Sequence, residues 1–269
     1  RGPDGEVIGT LPEQVPYLEW KHSDYYQVQS CQSCHMPQLQ DSMTITGVLG
    51  QPREDFSRHV FRGGNFFMPK IFNQNRAELG VTALPQDLAQ AARETESNLT
   101  RDSAEVTISG VSIRSGRLEA EVSITNLAGH KLPTAYPSRR AWLHLTITDS
   151  SGQTIFESGA LKPDGSIAGN ANDLNPTRFE PHHQVIDEEN QVQIYEAIMV
   201  DPDDQVTTGL IRAIRFMKDN RILPQGFDKR SADDDIAVKG EAEADTDFIG
   251  GSDKIRYSVP VDPDSRPFS

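Results

Sequence analysis

The chain has 269 residues with 26 Lys and Arg against 40 Asp and Glu, a formal net charge of −14, and is long enough for one large domain or two ordinary ones. A field of that sign repels phosphate backbones and anionic headgroups, which argues against nucleic acid and membrane surfaces and favours a partner with a basic face. No run approaches about 18 apolar residues, so no membrane-spanning helix is expected.

Arg1-Gly2-Pro3-Asp4-Gly5 has no charged start followed by an apolar run and reads as a cleavage scar or an internal start of a mature or trimmed chain. From there to about Asn98 the chain is rich in Gln, Asn, Met and Phe, with Pro at 3, 12, 16, 37, 52, 69 and 85 and little strand alternation. This composition suits loops and short helices wrapped around a cofactor. The segment closes on a helix predicted from Pro85 to Leu99, with Leu88, Ala91 and Ala92 on one face and the proline at a tolerated first-turn position.

Beyond about Ser103 the period changes to two. Leu118, Ala120, Val122 and Ile124 alternate with polar residues, as do Leu143, Leu145 and Ile147, then Val192 and Ile194, then Ile255, Tyr257 and Val259. Turn signals at Ser115-Gly116, Asp149-Ser150-Ser151-Gly152 and Pro163-Asp164-Gly165 separate them. The stretch Leu210–Lys218 fits either a helix or a strand and is read as a strand. Asp233 to Asp247 reads as an acidic solvated loop. The expected fold is α+β: residues 1–100 form a loop and short-helix cofactor-binding segment, and residues 101–269 an all-β domain resembling an antiparallel sandwich.

The chemistry is concentrated in Cys31-Gln32-Ser33-Cys34-His35, which holds the only two cysteines. C-x-x-C-H is the spacing for covalent c-type haem attachment. Each thiol adds to one vinyl group of the macrocycle, and the next residue places its imidazole under the iron. A redox-active C-x-x-C is the competitor, but it belongs at the start of a helix within a βαβ pattern, and nothing before Ser30 reads as that strand. One covalent haem c is therefore expected, on Cys31 and Cys34, with His35 as proximal ligand.

The sixth ligand decides what the iron does. His59 is the first choice: it follows His35 by 24 residues and opens a segment in which Gly63-Gly64 permits a bend and Phe61, Phe66 and Phe67 could wall a pocket. His130 is the second, since Gly129 lets its backbone approach another group. Met68 is a third candidate and would raise the potential. Met36 is excluded, because a residue adjacent to the proximal ligand cannot reach the other face. His144 is expected to be exposed on a strand, and His182-His183 to be a surface pair.

The blocks Glu19-Trp20, Cys31 to Pro37, His59 to Met68, Gly129 to Thr134, Pro137 to Trp142, Gln191 to Glu196 and Lys218 to Arg221 resemble those of bacterial extracytoplasmic c-type cytochromes, often multihaem, in which a C-x-x-C-H-M-P module precedes a β-rich domain. The resemblance implies a periplasmic or extracellular electron carrier rather than an enzyme. It also implies a low-spin bis-histidine haem and a redox partner protein, other cytochromes among the candidates. One C-x-x-C-H excludes a long internal haem wire. The competing reading is a peroxidase-like haem enzyme or a small-molecule sensor, with an open distal position beside Arg62 or Tyr26 and His59 with Arg62 as base and cation.

Overall fold

Prolines and polar caps set the short helices of the computed structural model, which describes residues 2, 4–262 and 267–268; Arg1 and Pro3 of the expected terminal scar lie outside them. Pro16 opens α1 (Pro16–Lys21). Ser30 caps α2 (Cys31–His35), its hydroxyl accepting from the Ser33 amide at 3.3 Å. Pro37 then stops that helix by forcing Met36 out of helical geometry. The pair β1 (Met43–Thr44) and β2 (Pro52–Arg53) is antiparallel, and α3 (Phe67–Gln74) and α4 (Pro85–Asn98) follow. In α4 Leu88, Ala89 and Ala92 face inward while Ala91 is exposed, one step round from the predicted face.

The strands come next: β3 (Ala104–Arg114), β4 (Arg117–Asn126), β5 (Ala141–Trp142), β6 (Leu145–Thr148) and β7 (Thr154–Ser158). After α5 (Ala171–Leu174) come β8 (Val185–Ile186), β9 (Ile194–Tyr195), β10 (Ala197–Val200), β11 (Val206–Thr207), β12 (Arg215–Asp219) and β13 (Ser252–Pro260). The fold is mixed α+β, with its main helices early and mostly small antiparallel sheets thereafter. The largest sheet runs β3-β4-β13-β8, with β8 parallel to β13. Two shorter pairs, β5-β9 and β6-β7, and the triple β11-β10-β12 complete the set.

The period-two residues do what alternation requires: Leu118, Ala120, Val122 and Ile124 of β4 and Ile255, Tyr257 and Val259 of β13 are all buried, facing one side of the same ladder. Leu210–Lys218 divides, a turn at 210–212 leading into β12, because Gly209 accepts the amides of Arg212 and Ala213. The acidic segment 233–247 differs from the solvated loop expected of it. Ile236, Val238 and Ala242 anchor it in the interior; Asp233, Asp234, Asp235, Glu241, Glu243 and Asp247 are exposed, but Asp245 is buried with the apolar anchors.

The chain divides into two compact units, residues 25–104 and residues 1–24 with 105–269. The sequence alone groups residues 1–24 with the segment that carries the C-x-x-C-H motif. In the structure Glu19 of α1 takes them into the β unit: it is fully buried, 2.9 Å from the Arg221 guanidinium, and accepts from the Lys131 amide and the Thr134 hydroxyl.

Candidate haem-attachment site

Within residues 25–104, α2 puts Cys31 and Cys34 three residues apart, hence on one helical face, with both thiols exposed and unbridged. His35 closes the helix. Its Nδ1 donates to the Arg62 carbonyl, and the Arg62 amide donates back to the His35 carbonyl at 2.9 Å. The first bond puts the proton on Nδ1 and the lone pair on Nε2, the arrangement that a metal-ligating histidine takes when a backbone carbonyl orients it.

The same chain pairing continues past the motif. Arg58 donates to the Pro37 carbonyl at 2.9 Å, Gln38 bridges Ser57, and Leu39 donates to Phe56 at 2.9 Å, a ribbon that ends in β1 and β2. His59, Val60 and Phe61 bulge out of it between two tied residues, Phe61 taking a left-handed φ of 47°. His59 is exposed, its ring edge-on to Phe61 at 4.2 Å. Met68 lies in the first turn of α3, its amide donating to the Asn65 side chain at 3.1 Å.

These residues fit a haem in three respects. Two thiols and an imidazole lone pair come from one turn of helix. The buried Arg62 Nε has no hydrogen-bond partner, a costly state for a guanidinium that a carboxylate such as a propionate would relieve. Lastly, Ala92 is the one buried apolar residue of residues 25–104, whereas Met43, Ile45, Val60, Phe61, Phe67 and Met68 are exposed. A unit with so much apolar surface and so little side-chain core suits a large apolar group.

Of the other histidines, His130 is half-buried with Nδ1 on its own neighbour's carbonyl, at Lys131, 2.9 Å away. His144 is exposed, as expected, and pairs with Glu157. His182 corrects the expected surface pair: it is buried, while His183 is half-buried against Glu180. No strand runs through 182–183, so the alternation argument for opposite faces does not apply there. His182, Asp245 and Asp253 converge with ligand-type atoms within 4.8 Å of one another, but the amides around them oppose a metal. Gln193 gives its oxygen to the His183 amide and Asn220 gives its oxygen to the Glu196 amide, so both turn NH2 groups onto His182 Nδ1, at 2.9 and 3.1 Å. Nδ1 is an acceptor. The proton therefore sits on Nε2, donated to Asp245 at 3.0 Å, where a metal would need the lone pair.

Burial, together with the nearby carboxylates of Asp245 and Asp247, pushes Asp253 up from 3.8 to about 7, against hydrogen bonds from Tyr195 and the Lys254 amide. Burial drops His182 from 6.5 to about 4, against the pull of Asp245. The signs oppose. A raised acid contributes stability that is present below 3.8 and lost as pH rises through about 7, whereas a depressed base contributes stability present above 6.5 and lost as pH falls through about 4. Between these limits the two slopes offset. Asp253→Asn keeps both contacts, since the Tyr195 hydroxyl can accept as well as donate. It is expected to stabilise the protein above pH 7 by on the order of 4 kcal/mol and to leave a melting temperature that climbs from pH 4 to 6.5. A flat profile in that variant would show that His182 carries no such term.

Comparison with known proteins adds a weak likeness. The sequence matches no protein-family model and no curated protein. It is similar in structure to a penta-haem cytochrome c552 from Thermochromatium tepidum, with a TM-score of 0.43 and 16% identity, over 92% of this chain and 40% of that one. The chain thus spans about two fifths of that protein's length. Among the described residues no helix is long and apolar enough to cross a membrane.

The blocks Gly129–Thr134, Gln191–Glu196 and Lys218–Arg221 turn out to supply a buried polar core. Lys131 and Arg221 hold Asp219 between them, and Lys218 reaches Glu196 at 2.9 Å. Sequence reasoning missed their burial because charged side chains in a window read as surface. The one signal that could have found them is that each lies in a block that carries the family resemblance.

Proposed function

We propose that the protein is a monohaem c-type cytochrome that carries electrons outside the cytoplasm, with haem joined to Cys31 and Cys34 and its iron on His35. The observation that carries this reading is the His35 Nδ1 bond to the Arg62 carbonyl, which aims the opposite nitrogen's lone pair away from the backbone, one helical turn from two exposed thiols. The bound haem would supply a one-electron iron couple. The chain's own residues attach it, orient the imidazole, and offer Arg62 to a propionate. That orienting bond sets the Arg62 backbone on the far side of the imidazole from the iron, which counts against Arg62 as the distal cation of a peroxidase-like site.

Charge favours a redox partner with a basic face docking on the β unit, since residues 25–104 hold 7 Lys and Arg against 8 Asp and Glu and the rest of the chain 19 against 32. The pyridine adduct of the purified protein is expected to give a c-type spectrum, and acid-acetone is expected to leave the colour on the chain. Release of free haem into the solvent would sink the proposal.

A further inference from the structure

We infer, on the reading that His35 is the iron ligand, that the residue opposite it is Met68 and not His59. A sixth ligand must approach the face of the macrocycle away from His35. His59 follows Arg58, which is tied to the Pro37 carbonyl, and precedes by three residues Arg62, which is tied to His35 at both its amide and its carbonyl. Three residues span at most about 10 Å. That length cannot pass from beneath the imidazole, around the rim of a tetrapyrrole, and back over the iron on the other face. The argument that removes Met36 therefore removes His59, because the ribbon holds both alongside the proximal ligand.

His59 is the one histidine of residues 25–104 besides His35, so among the ligands that make a low-spin c-type haem, imidazole and thioether, this unit is left with its methionines. Met43 belongs to β1, paired with Arg53 in the continuation of the same ribbon. Met68 lies beyond the last tie. It follows Arg62 by six positions, about 20 Å of chain when extended, and Gly63-Gly64 lets that chain turn. Met68 is more than a third exposed and is not part of a buried core.

The test uses the full-length holoprotein, after its pyridine spectrum has established whether haem is covalently bound; a negative result there sinks the proposed function rather than this inference. The oxidised protein is expected to be low-spin, to show the far-red absorption band of a methionine-bound ferric haem, and to have a higher midpoint potential than a bis-histidine site. Met68→Leu should abolish the band, and His59→Ala should leave band and spin state unchanged. Met68 is partly exposed, so its loss should not unfold the chain, and the band in the unmodified protein stands as an independent readout. Loss of the low-spin state in His59→Ala, in Met43→Leu or in His130→Ala overturns the assignment, as does a high-spin or bis-histidine spectrum in the unmodified protein.

Discussion

On the proposed function, replacing both cysteines, Cys31→Ala with Cys34→Ala, is expected to abolish covalent haem and leave residues 25–104 without cooperative tertiary structure, while the β unit stays folded. An isolated domain of this size is stabilised mainly by the apolar area it buries, and among the described residues every buried apolar side chain except Ala92 comes from beyond residue 117. What the unit has instead is polar and largely exposed: the cap at Ser30, the ribbon that pairs His35 to Leu39 with Phe56 to Arg62, and the exposed ion pair of Lys70 with Glu96. An exposed pair contributes well under about 1 kcal/mol, and short ribbons are marginal by themselves. Haem would be the core of this unit. Limited proteolysis should therefore cut the double variant within 25–104 and leave a resistant core in which residues 1–24 stay bound to residues 105–269. Equal resistance in variant and parent would mean that residues 25–104 are held together without haem.

Glu19→Ala is expected to destabilise the β unit by about 3–5 kcal/mol, read as a fall in its denaturant midpoint. The cluster it belongs to is closed in charge. Lys131 contacts Asp219 at 2.7 Å, Arg221 grips Asp219 through two bonds of 2.7 and 2.8 Å, and Arg221 meets Glu19 at 2.9 Å. All four side chains are buried, so two cations balance two anions with no help from water. Although burial alone would raise it, Arg221 and Lys131 hold the Asp219 carboxyl well below the usual carboxylate range. Burial lowers Lys131, with Asp219 opposing. Removing Glu19 leaves an uncompensated buried cation and two unanswered donors, the Lys131 amide and the Thr134 hydroxyl. Glu19→Gln keeps acceptors for those donors and should cost less. A fragment beginning at residue 105 lacks Glu19 altogether and should show the same loss as the alanine variant. If that fragment melts like the full chain, the N-terminal segment is dispensable to the β unit.

Asp219 also sets the acid limit of this cluster. Its folded pKa lies below its ordinary 3.8, so its contribution is present above that value and is lost as pH falls further through the folded one.

By itself the sequence determined what depends on neighbours along the chain. Cys31, Cys34 and His35 share one turn because covalent spacing and a capping serine put them there, and the inward faces of β4 and β13 follow from a two-residue period that any window displays. The tertiary structure alone decided what depends on distant segments meeting. Glu19 pairs with Arg221 across 202 positions, His182 is enclosed by Gln193, Asn220 and Asp245, and His59 is tied beside Pro37 by a chain reversal that its own neighbours do not encode. A charged or polar residue in a local window reads as solvated, because water is its cheapest partner. Only when the fold brings an opposite charge or a fixed amide within hydrogen-bond distance does the interior become the better place, and that distance is a property of the whole chain.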